Sequence, residues 1–411
     1  MATFLLLVIY LAFISLGLPD SILGSAWPVM QLDFDAPLNV AGYLFMIISG
    51  STIVSSILSG KVLKRFGTGK VTFISVLMTA LALLGFYTSA SIVWLIVCAI
   101  PLGLGAGAVD AGLNDYVATH YKAHHMSWLH CFWGIGATMG PIIMAQFISG
   151  QSSWRSGYLT ISLIQIGLVV ILLFTLPLWS KVKQKSFSTI QEDSVIAESP
   201  PTKGDPGTVK PLQTKGVKLA LASFLFYCGV EAMIGLWGSS FLVDLKGLSA
   251  ATAAGWVSFY YGGITVGRFI TGFITFKINN RSLIRLGQII ALLGGIILFL
   301  PLPSIFSLIG FIIVGVGLAP IFPCMLHETP ARFGKKHSQT IMGYQLALAY
   351  TGTTFVPPLL GFAASWISIG TFPVAIVILI SALLFSSERL NKLLDRRVLT
   401  SGEDTSNTAM K

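Results

Sequence analysis

The chain has 411 residues, of which 54% are hydrophobic and only 10% charged, and its mean hydropathy is +0.81. That balance excludes a soluble globular domain and a disordered chain, and leaves a membrane protein. The formal net charge of +10 would suit a nucleic-acid binder, so the role of the basic residues has to be read from where they stand.

Apolar segments of about 20 residues or more, the length that crosses a ~30 Å hydrocarbon layer, recur along the chain. They cover 2–30, 38–60, 70–88, 92–117, 128–149, 157–179, 216–243, 250–276, 283–300, 304–326, 338–363 and 367–387. Each is predicted to be a transmembrane helix, which makes twelve. The first has no basic n-region and its apolar run outlasts a signal-peptide h-region, so it reads as a retained span. Forty-two glycines, well above the usual share of about 7%, suit helices that approach closely. Residues 180–214, with SVIAESPPTKGDPGTVKP at their centre, have the composition of a solvated linker. The expected organisation is a six-helix bundle over 1–179, a cytoplasmic linker over 180–214, a second six-helix bundle over 215–390 and a cytoplasmic tail over 391–411. The acidic end of that tail, Ser401–Lys411, reads as flexible.

With both termini cytoplasmic, 23 of the 26 Lys and Arg residues fall in inner loops and ends, and only Arg155, Lys246 and Arg268 are left over. That is the positive-inside pattern. The basic excess is therefore topological, the lipid bilayer is the partner it implies, and nucleic acid is not. A multi-pass, monomeric protein of the cell membrane is expected. The cysteines Cys98, Cys131, Cys228 and Cys324 are far apart within apolar segments and read as packed thiols. His120 and His124 share helical spacing but no Cys or acid accompanies them in that loop, so neither a metal nor a cofactor is expected. No nucleophile–base pairing or cofactor loop is found among the spans, which argues against an enzyme.

Asp20, Asp110 and Glu231 stand inside apolar stretches. An ionised carboxylate at membrane depth costs at least ~2.5 kcal/mol, so such groups carry protons, grip polar solutes or pair with a cation. Asp110 and Asn114 are spaced i, i+4 and share one helix face. An acid beside an amide suits sugar hydroxyls, and an acid whose charge is disfavoured by its surroundings can load and release protons as water access alternates. Asp20 follows Pro19, where a kink frees backbone groups. Asp115 and His130 are placed for gating. Arg268 needs an acid or exposed carbonyls and reads as a structural ion-pair partner. Trp133, Trp237, Tyr260, Tyr344, Gln345 and Tyr350 offer aromatic faces and an amide for a polar solute.

The two halves repeat at a shift of about 212 residues. GKVLKR at 60–65 matches GFITFK at 272–277, Gly103-Leu-Gly105 matches Gly315-Val-Gly317, and Asp20 lands within one residue of Glu231. Repeated halves place a binding site at their interface near the midplane. At the repeat position of Asp110 stands Phe322, so the second half lacks that acid.

The run GKVLKRFGTGK, 60–70, with Gly60, Arg65 and Gly67, resembles the loop motif between helices two and three of the major facilitator superfamily. It departs at Lys64, where that motif carries an acid. GLGAGAVDAGLND at 103–115, LHCFWGIGATMGP at 129–141, GLPDSILGSAWP at 17–28 and YCGVEAMIGLW at 227–237 are similar to the fucose–galactose–glucose:proton symporter family. The resemblance implies an all-α membrane protein of two pseudo-symmetric bundles, a cavity lined by helices five, seven, eight and eleven, and proton and sugar handling by Asp110 and Asp20. Glu231 is a third candidate for proton coupling, and Asp110 is the first choice. The GxxxGP of Gly136, Gly140 and Pro141 also resembles a motif of drug:proton antiporters. The function expected is proton-coupled uptake of a monosaccharide. The alternatives are proton-driven efflux of drugs or metabolites and a non-transporting sensor or lipid-handling protein on the same scaffold.

Overall fold

The computed structural model describes residues 2–121, 123–150, 153–193, 211–275 and 277–409, and among them there are helices and no strand. The first predicted span is two helices, α1 (Ala2–Asp20) and α2 (Ile22–Asp33), parted at Ser21. Pro19 causes the break: it has no N–H to give to the Ser15 carbonyl. That carbonyl is taken instead by the buried Gln165, whose Nε2 donates to it at 2.8 Å, while Thr79 donates to the Gln165 Oε1 at 2.8 Å.

Five helices complete the first half: α3 (Val40–Phe66), α4 (Thr68–Tyr87), α5 (Ile92–His120), α6 (Ala123–Ser149) and α7 (Trp154–Asp193). Gly67, at φ +80°, is the left-handed joint between α3 and α4, as the glycine-framed turn at 60–70 anticipated. In the second half come α8 (Val217–Asp244), α9 (Ala250–Ile274), α10 (Asn280–Phe299), α11 (Ser304–Leu318), α12 (Ile321–His327), α13 (Thr329–Phe333), α14 (Lys335–Trp366) and α15 (Thr371–Ala409). The predicted span 304–326 is again a broken one, with Pro320 between α11 and α12.

Among the described residues eleven segments are long and apolar enough to cross a membrane, counting α1 with α2 and α11 with α12 once each. The predicted helix over 250–276 forms as α9, whose 25 residues measure ~37 Å at 1.5 Å per residue. It is absent from the eleven because of what it carries: Gly255, Tyr260, Tyr261, Gly262, Gly263, Thr265 and Arg268 lower its apolarity. Two expectations about the connecting segments change. Helix α7 continues through the start of the linker to Asp193, and the linker's centre, 194–210, lies outside the described residues. Helix α15 runs on to Ala409 instead of giving way to a flexible tail, since no proline follows Pro373 to stop it.

Helices α1–α7 pack chiefly on one another, as do α8–α15, and the two groups meet along α6–α9, α3–α14, α2–α8 and α2–α9. Glycines set the spacing within each group. A Cβ on Gly103 would collide with the Ile48 carbonyl, and one on Gly107 with that of Thr52, so α5 lies directly on α3. The repeat-related Gly315 does the same for α11 on the Tyr260 carbonyl of α9. The GxxxGP glycines bring α6 against α1, Gly136 facing the Ile14 carbonyl and Gly140 that of Leu18. Between the groups, α2 meets α8 where Gly24 abuts the Gly235 carbonyl.

Candidate functional site

The close packing of α6 on α1 decides what stands opposite Asp20. Gly17 of α1 lies against the Trp133 carbonyl, which fixes the indole beside the last residue of α1. Trp133 Nε1 donates to Asp20 Oδ2 at 2.8 Å. Asp20 lies deep in the protein yet is reached by solvent, as expected of a group lining an internal opening. Asp110 of α5 is close enough for the two charges to interact. Its partner is Asn114, whose Nδ2 donates to Asp110 Oδ1 at 2.9 Å and also to the Asp110 backbone carbonyl at 2.9 Å. The predicted i, i+4 pair therefore forms, with both N–H donors of the amide spent on its own helix.

Across the interface, Arg268 Nη2 on α9 contacts Glu231 Oε1 on α8 at 2.9 Å and the Tyr227 hydroxyl at 3.4 Å. Both charged side chains are mostly buried, at 14% and 18% exposure. Tyr260 is fully buried and donates to the Glu231 backbone carbonyl at 3.2 Å. The Arg268 guanidinium also lies over the Trp133 ring, 5.4 Å from its centroid. Asp20, Trp133, Arg268 and Glu231 thus form one continuous chain from α1 through α6 and α9 to α8.

Tyr350 of α14 lies near Asp110 and Ser56, and the Ser56 hydroxyl of α3 donates to the Gly107 carbonyl at 3.3 Å. His130 sits one turn before Trp133, edge-on to Phe13 at 6.0 Å between ring centroids and within electrostatic reach of Arg268. Asp115 is exposed, and its backbone carbonyl accepts from the Thr119 hydroxyl. Gly60 and Arg65 are exposed at the end of α3, Arg65 over the Phe66 ring at 5.3 Å. Two expected solute contacts lie elsewhere. Trp237 is fully buried, donates to the Pro357 carbonyl at 2.7 Å and packs on Gly42 and Gly361. Gln345 is buried and accepts from Thr329 at 2.9 Å. Both are occupied in helix packing, away from the Asp20–Glu231 chain.

Tyr227, Tyr261 and Ser56 belong to the site and escaped the sequence reading. Tyr227 had a signal: it stands four residues before Glu231, on the same helix face. Tyr261 senses both Asp20 and Glu231, and its hydroxyl fills the space beside Gly235. Among the described residues no cluster of His, Cys, Asp and Glu is arranged to hold a metal ion.

The chain belongs to the Major Facilitator Superfamily, which it matches over residues 9–357. It is a multi-pass membrane transporter of that superfamily, not an enzyme. Among its relatives, "Bypass of stop codon protein 6" of Saccharomyces cerevisiae is 23% identical over 394 residues, covering 90% of this chain and 78% of that one. The glucose/mannose transporter GlcP of Bacillus subtilis is 21% identical over 383 residues, covering 90% of this chain and 92% of that one. In fold the chain is similar to the crystal structure of a D-xylose–proton symporter, with a TM-score of 0.71 at 14% identity over 93% of this chain and 96% of that one.

Proposed function

We propose that the protein takes up a monosaccharide, hexose or deoxyhexose, together with protons, by alternating access across the cell membrane. The observation that carries this reading is the pair Asp20 and Asp110. Both stand in the interior, within electrostatic reach of each other, and neither has a cation within ion-pair distance among the described residues. Asp110, with Asn114 beside it and Tyr350 facing it from the other half, is the coupling acid. Asn114, Trp133 and Tyr350 supply the polar groups and ring faces for the sugar, Tyr260 backs them from the buried side of Glu231, and Asp115 and His130 line its route.

In this reading α9 is the twelfth span, residues 1–179 and 215–390 are the two rocking bundles, and both termini are cytoplasmic. The bundles then meet along α6–α9 and, at the outer end, where α2 and α3 meet α8 and α14, and the site opens inward between α3–α14 and α6–α9. The protein acts as a monomer. Purified protein in vesicles, offered a panel of hexoses and deoxyhexoses, should accumulate one class when the outside is acidified. A protonophore and Asp110→Asn should each abolish that accumulation. Sugar uptake indifferent to both would overturn the coupling.

A further inference from the structure

Asp20 and Glu231 occupy equivalent places in the two halves, and what faces them is different. Opposite Glu231, α9 supplies Arg268 at 2.9 Å. At the same 212-residue offset that pairs Gly60 with Gly272, the position of Arg268 corresponds to Ser56 of α3. The equivalent position of the first half therefore holds no cation. Asp20 receives instead one neutral donor from another helix, the Trp133 indole at 2.8 Å. The repeat has produced one carboxylate neutralised by an ion pair and one held by a single N–H.

We propose that Trp133 is the positioning residue for proton exchange at Asp20, and that its ring relays the state of Asp20 to the Arg268–Glu231 pair of the other half. The inference deepens the symport reading and rests on it. Indole N–H is a donor only. It stabilises the carboxylate and has nothing to offer a carboxyl proton, so it sets how readily Asp20 takes a proton without titrating itself. The same ring presents its face to the Arg268 guanidinium at 5.4 Å. An N–H donated to a carboxylate leaves the ring more electron-rich and a better partner for a cation, and protonation of Asp20 withdraws that support.

The α6 backbone that carries the indole is held against α1, because Gly17 and Gly136 seat the two helices on each other on either side of Trp133. The groups facing Asp20 are Trp133 from α6, Asp110 from α5 and Tyr261 from α9. Those facing Arg268 are Glu231 and Tyr227 from α8, Tyr260 on its own helix, and His130 with Trp133 from α6. None of the groups facing Asp20 is a cation, which leaves the indole N–H as its stabilising contact.

The test reads the acid directly and needs no sugar. The infrared carboxyl band of Asp20, identified in the purified protein by its loss in Asp20→Asn, is titrated in the unmutated chain and in Trp133→Phe, which keeps a ring and removes the N–H. The midpoint is expected to rise by about one pH unit, the worth of one charge-assisted hydrogen bond. An unchanged or lowered midpoint overturns the proposal. Should Trp133→Phe fail to fold, the indole N–H hydrogen-bond band of the unmutated protein in ultraviolet Raman spectra decides. It should move with the Asp20 midpoint and stay still in Asp20→Asn; a band indifferent to pH overturns the proposal. Failure of the symport reading shows separately, as vesicles that accumulate no sugar while this band still titrates.

Discussion

Glu231 and Arg268 hold each other inside the protein, and the consequence is measurable at the level of single residues. A buried pair contributes little as a pair, but a lone buried charge left by removing one partner costs about 3–5 kcal/mol. Arg268→Gln alone should therefore lower the unfolding temperature of the purified protein strongly. The double substitution with Glu231→Gln should recover much of the loss. If the two single effects simply add, the 2.9 Å contact is not the interaction that holds them. The tyrosines around the pair have a related duty: the Tyr227 hydroxyl accepts from the Arg268 guanidinium, and Tyr260 donates to the Glu231 backbone carbonyl.

At the scale of the helices, Pro19 and Gln165 are the clearest case of sequence chemistry answered by tertiary contact. The proline frees the Ser15 carbonyl, and a glutamine 150 residues away in α7 takes it while accepting from Thr79 in α4. Three helices are tied at the level where α1 breaks. Gln165→Leu would leave the buried Ser15 carbonyl without its donor, at about 1–3 kcal/mol, while the Thr79 hydroxyl keeps the Val76 carbonyl at 2.9 Å. We expect a lower unfolding temperature with the helical content of the folded protein unchanged. An unaltered melting curve would mean that water replaces the amide. At the opposite end of α1–α2, Arg155 joins α7 to Asp33 at 2.5 Å and to the Ser89 carbonyl at 3.1 Å. That accounts for one of the three basic residues that the positive-inside count left over. Lys246, the second, donates to the Leu302 carbonyl at 3.2 Å, and Arg268 is the third.

For the molecule as a whole, the contact of Gly24 with Gly235 is where the two halves come together one turn beyond Asp20 and Glu231. Each glycine stands four residues after its acid, so the repeat carries an acid-x-x-x-glycine element into both halves. Ser21 Oγ, Trp27 Nε1, Ser239 Oγ, Ser240 Oγ and Thr354 Oγ1, on or beside α2, α8 and α14, are buried without a protein partner. Buried polar groups without a protein partner raise the energy of the arrangement that buries them, which favours separation at this end. Gly24→Leu should hold it apart. In a cysteine-free background, Ser240→Cys should then react with a membrane-impermeant maleimide several-fold faster than with glycine at position 24. Equal rates would show that this contact does not govern access.

Much of the fold was legible because a bilayer makes apolar length an almost sufficient signal. The exception, α9, is instructive: its Tyr, Gly and Arg residues serve the interior, and the property that makes it a site helix weakens it as a span. The candidate site was legible in part. Asp110 with Asn114 was visible because both lie on one helix, and the local spacing is the contact. Trp237 and Gln345 were plausible as solute contacts by type and helix. Only their neighbours, the Pro357 carbonyl and Thr329, show them engaged in packing.

The sequence alone determined the membrane-spanning architecture, the superfamily and the identity of the three acids, because hydropathy, charge placement and motif are properties of the chain read in order. Which acid is neutralised was decided by tertiary structure. Asp20 meets Trp133 across 113 positions of chain and Glu231 meets Arg268 across 37. Partners on different helices are set by how closely those helices pack, and here glycines at Gly17, Gly136 and Gly140 fix that distance. Equivalent residues of a repeat thereby acquire different chemistry from what stands opposite them.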